Sequence, residues 1–319
     1  MSYSIIDPNL YLISLDQKMT GFHHFISAWL YQSDEIAFLV DPGPRYSVDQ
    51  LTGTLKKIGV RRLDYILLTH IHIDHAGGTG ALLAHYPEAR IICHPRAVSH
   101  MVSPLNLWQG SLKNLGVIAE SYGEIIPVPA GAIEFRDRIE TPSGDIKAID
   151  TPGHAVHHLC FRFQDYLFAG EAAGIIHCLH QGIYARPTTP PIFKLKTSLS
   201  SIDRIMALDV SMICFGHYGF RTDVKQALTT AQSQLLSWVE MVKNQLEKGE
   251  DNLDKRIIEG LKKKDPSFAN ITYLPEDIRQ REIYFIGNSL KGIKDYLDAA
   301  GPDPDKIPDH AVFTESHLN

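Results

Sequence analysis

Short apolar runs separated by turn residues fill the first two thirds of the chain. "LYLISL", "FISAWLY" and "EIAFLVD" read as three successive strands, with "QSDE" closing a hairpin between the last two. Apolar residues at helical spacing run from Val48 to Ile58, and the buried strand "YILLT" then ends in a group of histidines. "GTGALLAHY" reads as a helix, "RIICH" as a strand, and Pro95 to Tyr122 as two short helices crossing a surface. A second set of strands is expected at "EIIPV", "AIEFR", "IKAIDTPG", "LCFRF" and "YLFAG". A helix follows with Leu199, Ile202, Ile205 and Met206 on one face, and "VSMICFGH" is the last strand. Helices interleaved with strands on both sides of a pair of sheets predict a layered α/β sandwich.

The pattern changes near Thr222, dividing the chain into a sandwich over 1–221 and a helical extension over 222–319. Val224, Leu228, Ala231, Leu235, Val239, Val242 and Leu246 form one stripe that Gly249 stops. The charged helix "NLDKRIIEGLKKKD" ends at Pro266, and Lys262 to Lys264 read as its solvated face. From Pro275 to Ala300, Ile278, Ile283, Ile286, Leu290, Ile293 and Leu297 recur at helical spacing. These stripes predict helices that dock on the sandwich, with a separate partner-binding module as the alternative. The last residues, rich in Pro and Asp, read as a loosely held tail.

Composition narrows the class of protein. Of 319 residues, 44% are hydrophobic and 21% charged, as in an ordinary globular protein with ample core. The net charge is −6 and no basic stripe stands out, which speaks against a nucleic-acid partner. No apolar run approaches the ~20 residues of a membrane span. "MSYSIIDPNLYLISL" lacks the basic and apolar regions of a signal peptide, and the four cysteines form no Cys-x-x-Cys pair. Reduced thiols in a cytoplasmic protein are therefore expected.

The 16 histidines change the picture. In "LLTHIHIDHAGG", His70 and His72 stand two apart at a strand end, so their side chains can point the same way. Asp74 and His75 follow at a turn into Gly-Gly, where the backbone can come close. Three imidazoles and a carboxylate within six residues are the beginning of a transition-metal site.

"THIHIDHAGG" resembles the His-x-His-x-Asp-His signature of the metallo-β-lactamase superfamily, in the form shared with glyoxalase II-like hydrolases. The resemblance runs from about Leu10 to Phe220 and implies a four-layer αββα sandwich. "LVDPGP" is similar to the family's turn after the third strand, which makes Asp41 a group that orients the metal loop. "DTPGHAVHH" nominates His154, and "CFGHYG" nominates His217. "FAGEAAG" lies where the family places a metal-bridging Asp, and here the residue is Glu171, one methylene longer.

Carried over residue by residue, His70, His72 and His154 hold one metal, and Asp74, His75 and His217 the other. Glu171 either bridges the two or binds one alone. The resemblance implies two divalent transition metal ions, zinc first, with iron or manganese as alternatives. It further implies hydrolysis of a carbonyl ester, thioester or lactone by a metal-bound hydroxide, with Asp74 assisting proton movement. Two other activities stay open. One is an oxidoreductase similar to the persulfide dioxygenases, with a single iron on His70, His154 and Glu171. The other is a metal-bearing effector with little catalytic activity. The expected partner is a small-molecule substrate, with no nucleic acid and no membrane, and the apolar helical end is compatible with a homodimer.

Other histidines are weaker candidates. His157 and His158 read either as half-buried structural residues or as support behind the ligands, His23, His24, His177 and His180 as bordering the pocket if they act at all, and His85, His94 and His100 as surface or core. "YARPTTPPIF" reads as a rigid pocket wall or a plain linker, with Tyr184 or Arg186 meeting a polar or anionic substrate group in the first case.

Overall fold

Short apolar runs, several buried on both faces, build two sheets that share one apolar interior. The computed structural model describes residues 3–300, so the expected C-terminal tail lies outside the described residues. The first sheet runs in the order β1 (Tyr3–Asp7), β2 (Leu10–Leu15), β3 (Ile26–Gln32), β4 (Ala37–Val40), β5 (Tyr65–Leu67), β6 (Arg90–Ile92) and β7 (Ile133–Glu134). It is antiparallel as far as β4 and parallel beyond it. The chain then forms β8 (Arg138–Ile139), β9 (Ile146–Asp150), β10 (Leu159–Phe163) and β11 (Tyr166–Gly170). A separate hairpin of β12 (Ile175–Leu179) and β13 (Gly182–Arg186) precedes β14 (Met212–Phe215) and β15 (Phe220–Arg221). The second sheet has the order β15, β14, β11, β10, β9, β8.

Side chains at every second position face the interior between the sheets. Trp29, Tyr31, Phe38, Val40 and Leu67 come from the first sheet, and Leu159, Phe161, Phe163 and Phe168 from the second. The alternate residues of the first sheet pack under α1 (Val48–Ile58), α2 (Ile73–Ala76), α3 (Thr79–Leu83), α4 (Val98–Val102), α5 (Leu105–Leu115) and α6 (Val117–Tyr122). Those of the second pack under α7 (Leu195–Met206), α8 (Val224–Leu246), α9 (Leu253–Lys264), α10 (Pro266–Ala269) and α11 (Glu276–Ala300). The result is an αββα layering, with α8 to α11 sharing one apolar cluster with β11, β13 and β14.

Two expectations need correction, and a third holds in part. "EIIPV" is not a strand: Ile125 and Val128 are buried in irregular chain. Pro127 cannot donate to a ladder, and Gly80 of α3 packs against the Ile126 carbonyl so closely that a Cβ there would lie 2.2 Å from it. "YARPTTPPIF" divides: Tyr184, Ala185 and Arg186 close the hairpin strand β13, while Arg186, Thr188, Pro190 and Pro191 line a cleft as a wall would. In α11, Ile283 is 48% exposed, while Arg281 and Glu282 turn inward. The helix presents Ile286, Leu290 and Ile293 to the core, and the same face extended one turn back carries Glu282.

Candidate metal centre

The turns after β4, β5, β9, β11 and β14 converge at one edge of the sandwich and carry Asp41, the His70–His75 segment, His154, Glu171 and His217 respectively. Two positions there require glycine. Gly170 has φ +51°, and a Cβ on it would lie 2.7 Å from both Thr69 Oγ1 and His158 Nε2. A Cβ on Gly216 would lie 2.6 Å from His75 Cε1. Small residues thus let the strand ends carrying Glu171 and His217 close on the histidine segment.

Ligand-type atoms of His70, His72, His154 and Glu171 lie within 4.8 Å of one another, as do those of Asp74, His75 and His217. Glu171 faces both groups. Its Oε2 is 3.0 Å from His154 Nε2 and 3.4 Å from the Nε2 atoms of His70 and His75, and its Oε1 is 3.7 Å from His217 Nε2. Asp74 Oδ2 lies 3.5 Å from His75 Nε2 and 3.8 Å from His217 Nε2. All seven residues nominated from the sequence meet at this one place.

Hydrogen bonds behind the rings decide which nitrogen faces inward. The Thr69 hydroxyl donates to Asp41 Oδ2 at 2.6 Å, so its oxygen can only accept from His70 Nδ1 at 3.0 Å. Carbonyls likewise only accept, so His154 Nδ1 donates to Thr188 and His217 Nδ1 to Phe25, each at 3.2 Å. His75 Nδ1 lies 3.2 Å from Asp41 Oδ2. These bonds at Nδ1 turn Nε2 of His70, His154 and His217 toward the centre, the nitrogen through which an imidazole braced in this way binds a metal. The Nε2 atoms of His70 and His75 are buried with no hydrogen-bond partner, and His72 Nδ1 converges on His154 Nε2 at 2.9 Å. Buried polar atoms of this kind call for a partner. Nitrogen and carboxylate donors converging on a shared point fit a divalent cation.

The protonation behaviour follows from burial. Desolvation lowers His70 well below its usual pKa, and desolvation with neighbouring His154 brings His72 to about 4. Burial opposes charge on His75 too, but Asp74, Asp41 and Glu171 outweigh it and raise that group well above the usual range. For Glu171 burial favours the neutral acid, yet His154 and His217 hold the carboxyl well below its usual range.

The supporting histidines divide sharply. His158 is buried and committed: Nε2 accepts from the Glu171 backbone N–H at 3.2 Å, and Nδ1 lies 2.9 Å from Thr151 Oγ1. His157 lines the cleft instead, its pKa lowered to about 3 by burial and then by His72 and His154. His100 lies in the cleft wall. His23, His24 and His180 are outside that wall, and His177 stacks on Tyr218 at 4.0 Å. Tyr184 is fully buried, and its hydroxyl donates to Glu282 at 3.0 Å. Arg186 lines the cleft but commits Nε to Glu282 at 2.6 Å.

The centre forms the floor of a cleft of about 690 Å³, walled by Asn106, Ser111 and Lys113 of α5 and by Phe285, Asn288 and Lys291 of α11. Tyr122 is a wall residue that the sequence reading missed. Its hydroxyl is buried without a hydrogen-bond partner among the described residues, and burial and then Asp74 raise its pKa well above the usual range, so it remains a donor. Thr69 was missed as well, although its place directly before His70 in "LLTH" was a usable signal.

An αββα sandwich with this donor set at its strand ends defines a metallo-β-lactamase-type protein. The chain belongs to the Metallo-beta-lactamase superfamily, whose family model matches residues 22–217. It is 26% identical over 242 residues to the metallo-beta-lactamase fold-containing protein ST1585 of Sulfurisphaera tokodaii, a match that covers 70% of this chain and 87% of that one. The solved structure of ST1585 from Sulfolobus tokodaii has a TM-score of 0.66 at 21% identity, covering 90% of this chain and 98% of that chain. That of the family protein TTHA1429 from Thermus thermophilus has a TM-score of 0.65 at 20% identity, covering 94% and 98%. Hydroxyacylglutathione hydrolase of Aeromonas hydrophila is 29% identical over 147 residues, 45% of this chain and 44% of that enzyme, so the chain spans less than half of it. Among the described residues, no helix is long and apolar enough to cross a membrane.

Proposed function

We propose that the protein is a metal-dependent hydrolase of a carbonyl ester, thioester or lactone, working with two divalent ions. The observation that carries this reading is the placement of Glu171. Its two oxygens address both ligand groups, so the extra methylene relative to aspartate does not confine it to one. His70, His72 and His154 would hold one ion and Asp74, His75 and His217 the other, with zinc the first expectation. Divalent ions bound here would polarise a carbonyl oxygen and acidify water.

The chain's own groups have separable tasks. Asp41 and Thr69 hold the His70 and His75 rings so that Nε2 faces the substrate floor. Asp74 is the more exposed floor carboxylate, its side chain 15% accessible against 8% for Glu171, and it takes up the proton released during attack. The Tyr122 hydroxyl donates to a substrate oxygen. The walls from α5 and α11 exclude bulk water and orient the acyl group.

The test is metal analysis of dialysed protein together with a panel of esters, thioesters and lactones. Two ions per chain, and turnover lost on chelation and restored by metal, are expected. A single redox-active iron with oxygen consumption would replace this reading by the dioxygenase one, and full metal loading without turnover would point to the effector.

A further inference from the structure

One aromatic ring connects His217 to the C-terminal helix. Phe25 stacks on the His217 imidazole with centroids 4.1 Å apart and planes 19° from parallel. Its backbone carbonyl accepts from His217 Nδ1 and also from the Tyr218 N–H at 3.2 Å. The Arg281 guanidinium of α11 lies 3.9 Å from the same ring's centroid. Two planar groups that close to one centroid occupy opposite faces of the ring, which places Phe25 as a spacer between Arg281 and His217. A second contact reaches the same turn, because the Tyr218 hydroxyl donates to Glu282 at 3.1 Å. Helix α11 thus grips the residue stacked on His217 and the residue that follows it.

The two ligand groups differ in this respect. His70 and His75 are braced by Thr69 and Asp41 from within the sandwich, and His154 by the Thr188 carbonyl. Only His217, among the ligand residues, is stacked on a ring that a residue of α11 covers.

We propose that Arg281 and Phe25 are positioning residues through which α11 sets the affinity of the ion held by Asp74, His75 and His217. The proposal rests on the two-ion reading. Helix α11 is then part of the metal centre's scaffold as well as a wall of the cleft, and the two sites depend unequally on it.

The experiment titrates metal-free protein with Co²⁺, following ligand-field absorption and calorimetry, in the full chain and in the variants Phe25→Leu, Phe25→Tyr, Arg281→Met and His217→Ala. Phe25→Leu and Arg281→Met are expected to weaken one Co²⁺ by about 10–100-fold and leave the other unchanged. Phe25→Tyr keeps the stacked ring and restores both. In a His217→Ala background, Phe25→Leu has no further effect. Equal weakening of both ions, or full binding in folded Phe25→Leu, overturns the proposal. If Arg281→Met does not fold, Phe25→Leu decides alone, and if it also fails to fold, Phe25→Met takes its place with the same criteria. A wild-type chain that takes only one Co²⁺ would instead defeat the two-ion reading itself.

Discussion

Two clusters of buried charge border the same cleft, and they are built in opposite ways. At the strand ends, Glu171 and Asp74 face a ring of imidazole nitrogens, and the Nε2 atoms of His70 and His75 have no hydrogen-bond partner. Beneath α11, Glu282 is fully buried yet fully occupied. It accepts from Arg186 Nε at 2.6 Å, Tyr184 at 3.0 Å, Tyr218 at 3.1 Å and Arg281 at 3.2 Å. Burial opposes its ionisation, and Arg186 and then Arg281 outweigh that and hold its carboxyl below the usual range. A buried charge with complete protein partners is a structural joint; one whose neighbours leave buried polar atoms unpartnered around a shared point is a candidate ligand site.

The largest test of this contrast is Glu282→Ala. It leaves the Arg186 and Arg281 guanidinium groups buried without their carboxylate, and a loss of about 3–5 kcal/mol of folding stability is expected, read by urea denaturation of metal-free protein. Intact stability would mean that the cluster is solvated and not a joint. Glu171→Ala attacks the other centre. Losing a ligand should exceed the loss from an outer partner, so metal affinity is expected to fall by more than ~100-fold, measured by chelator competition. If both ions stay bound, Glu171 is not a ligand.

A smaller effect separates the brace from the ligands. Thr69→Val removes the hydroxyl that relays Asp41 to His70, and a fall of about 10–100-fold in metal affinity is expected with the fold intact. The smallest concerns pH. His177 stacks on Tyr218 at the edge of the joint, and burial, offset by Glu282, lowers its pKa to about 4. The unfolded chain therefore binds more protons there between pH ~6.5 and pH 4, so this contribution is complete above ~6.5 and lost as pH falls toward 4. His177→Phe should flatten the acid side of the stability profile in metal-free protein; an unchanged profile would show that His177 titrates normally.

Much of this was legible along the chain, for a local reason. The runs that became β2, β3, β4, β10 and β11 are short, apolar and bounded by turn residues, and β4 and β11 are buried on both faces. The segment His70 to His75 spans one strand end and one turn, so its clustering is dictated by local geometry. "EIIPV" misled because Ile125 and Val128 are buried without a neighbouring strand to pair with. Ile283 misled because helical spacing alone does not fix which flank of a stripe faces inward.

By itself, the sequence determined the layered α/β plan, which its family resemblance sharpened to αββα, the helices between 224 and 300, and the seven candidate donors. Tertiary structure decided what those donors do together. His154 lies 82 residues from the His72 it meets, Phe215 accepts from Trp29 across 186, and Arg186 finds Glu282 across 96. No local period encodes such separations, because the partner is chosen by how sheets and helices pack. Packing also chose the tautomers, through Thr69, Thr188 and Phe25, and packing placed Glu171 between two ligand groups. The acid could be read in the chain, but its reach could not.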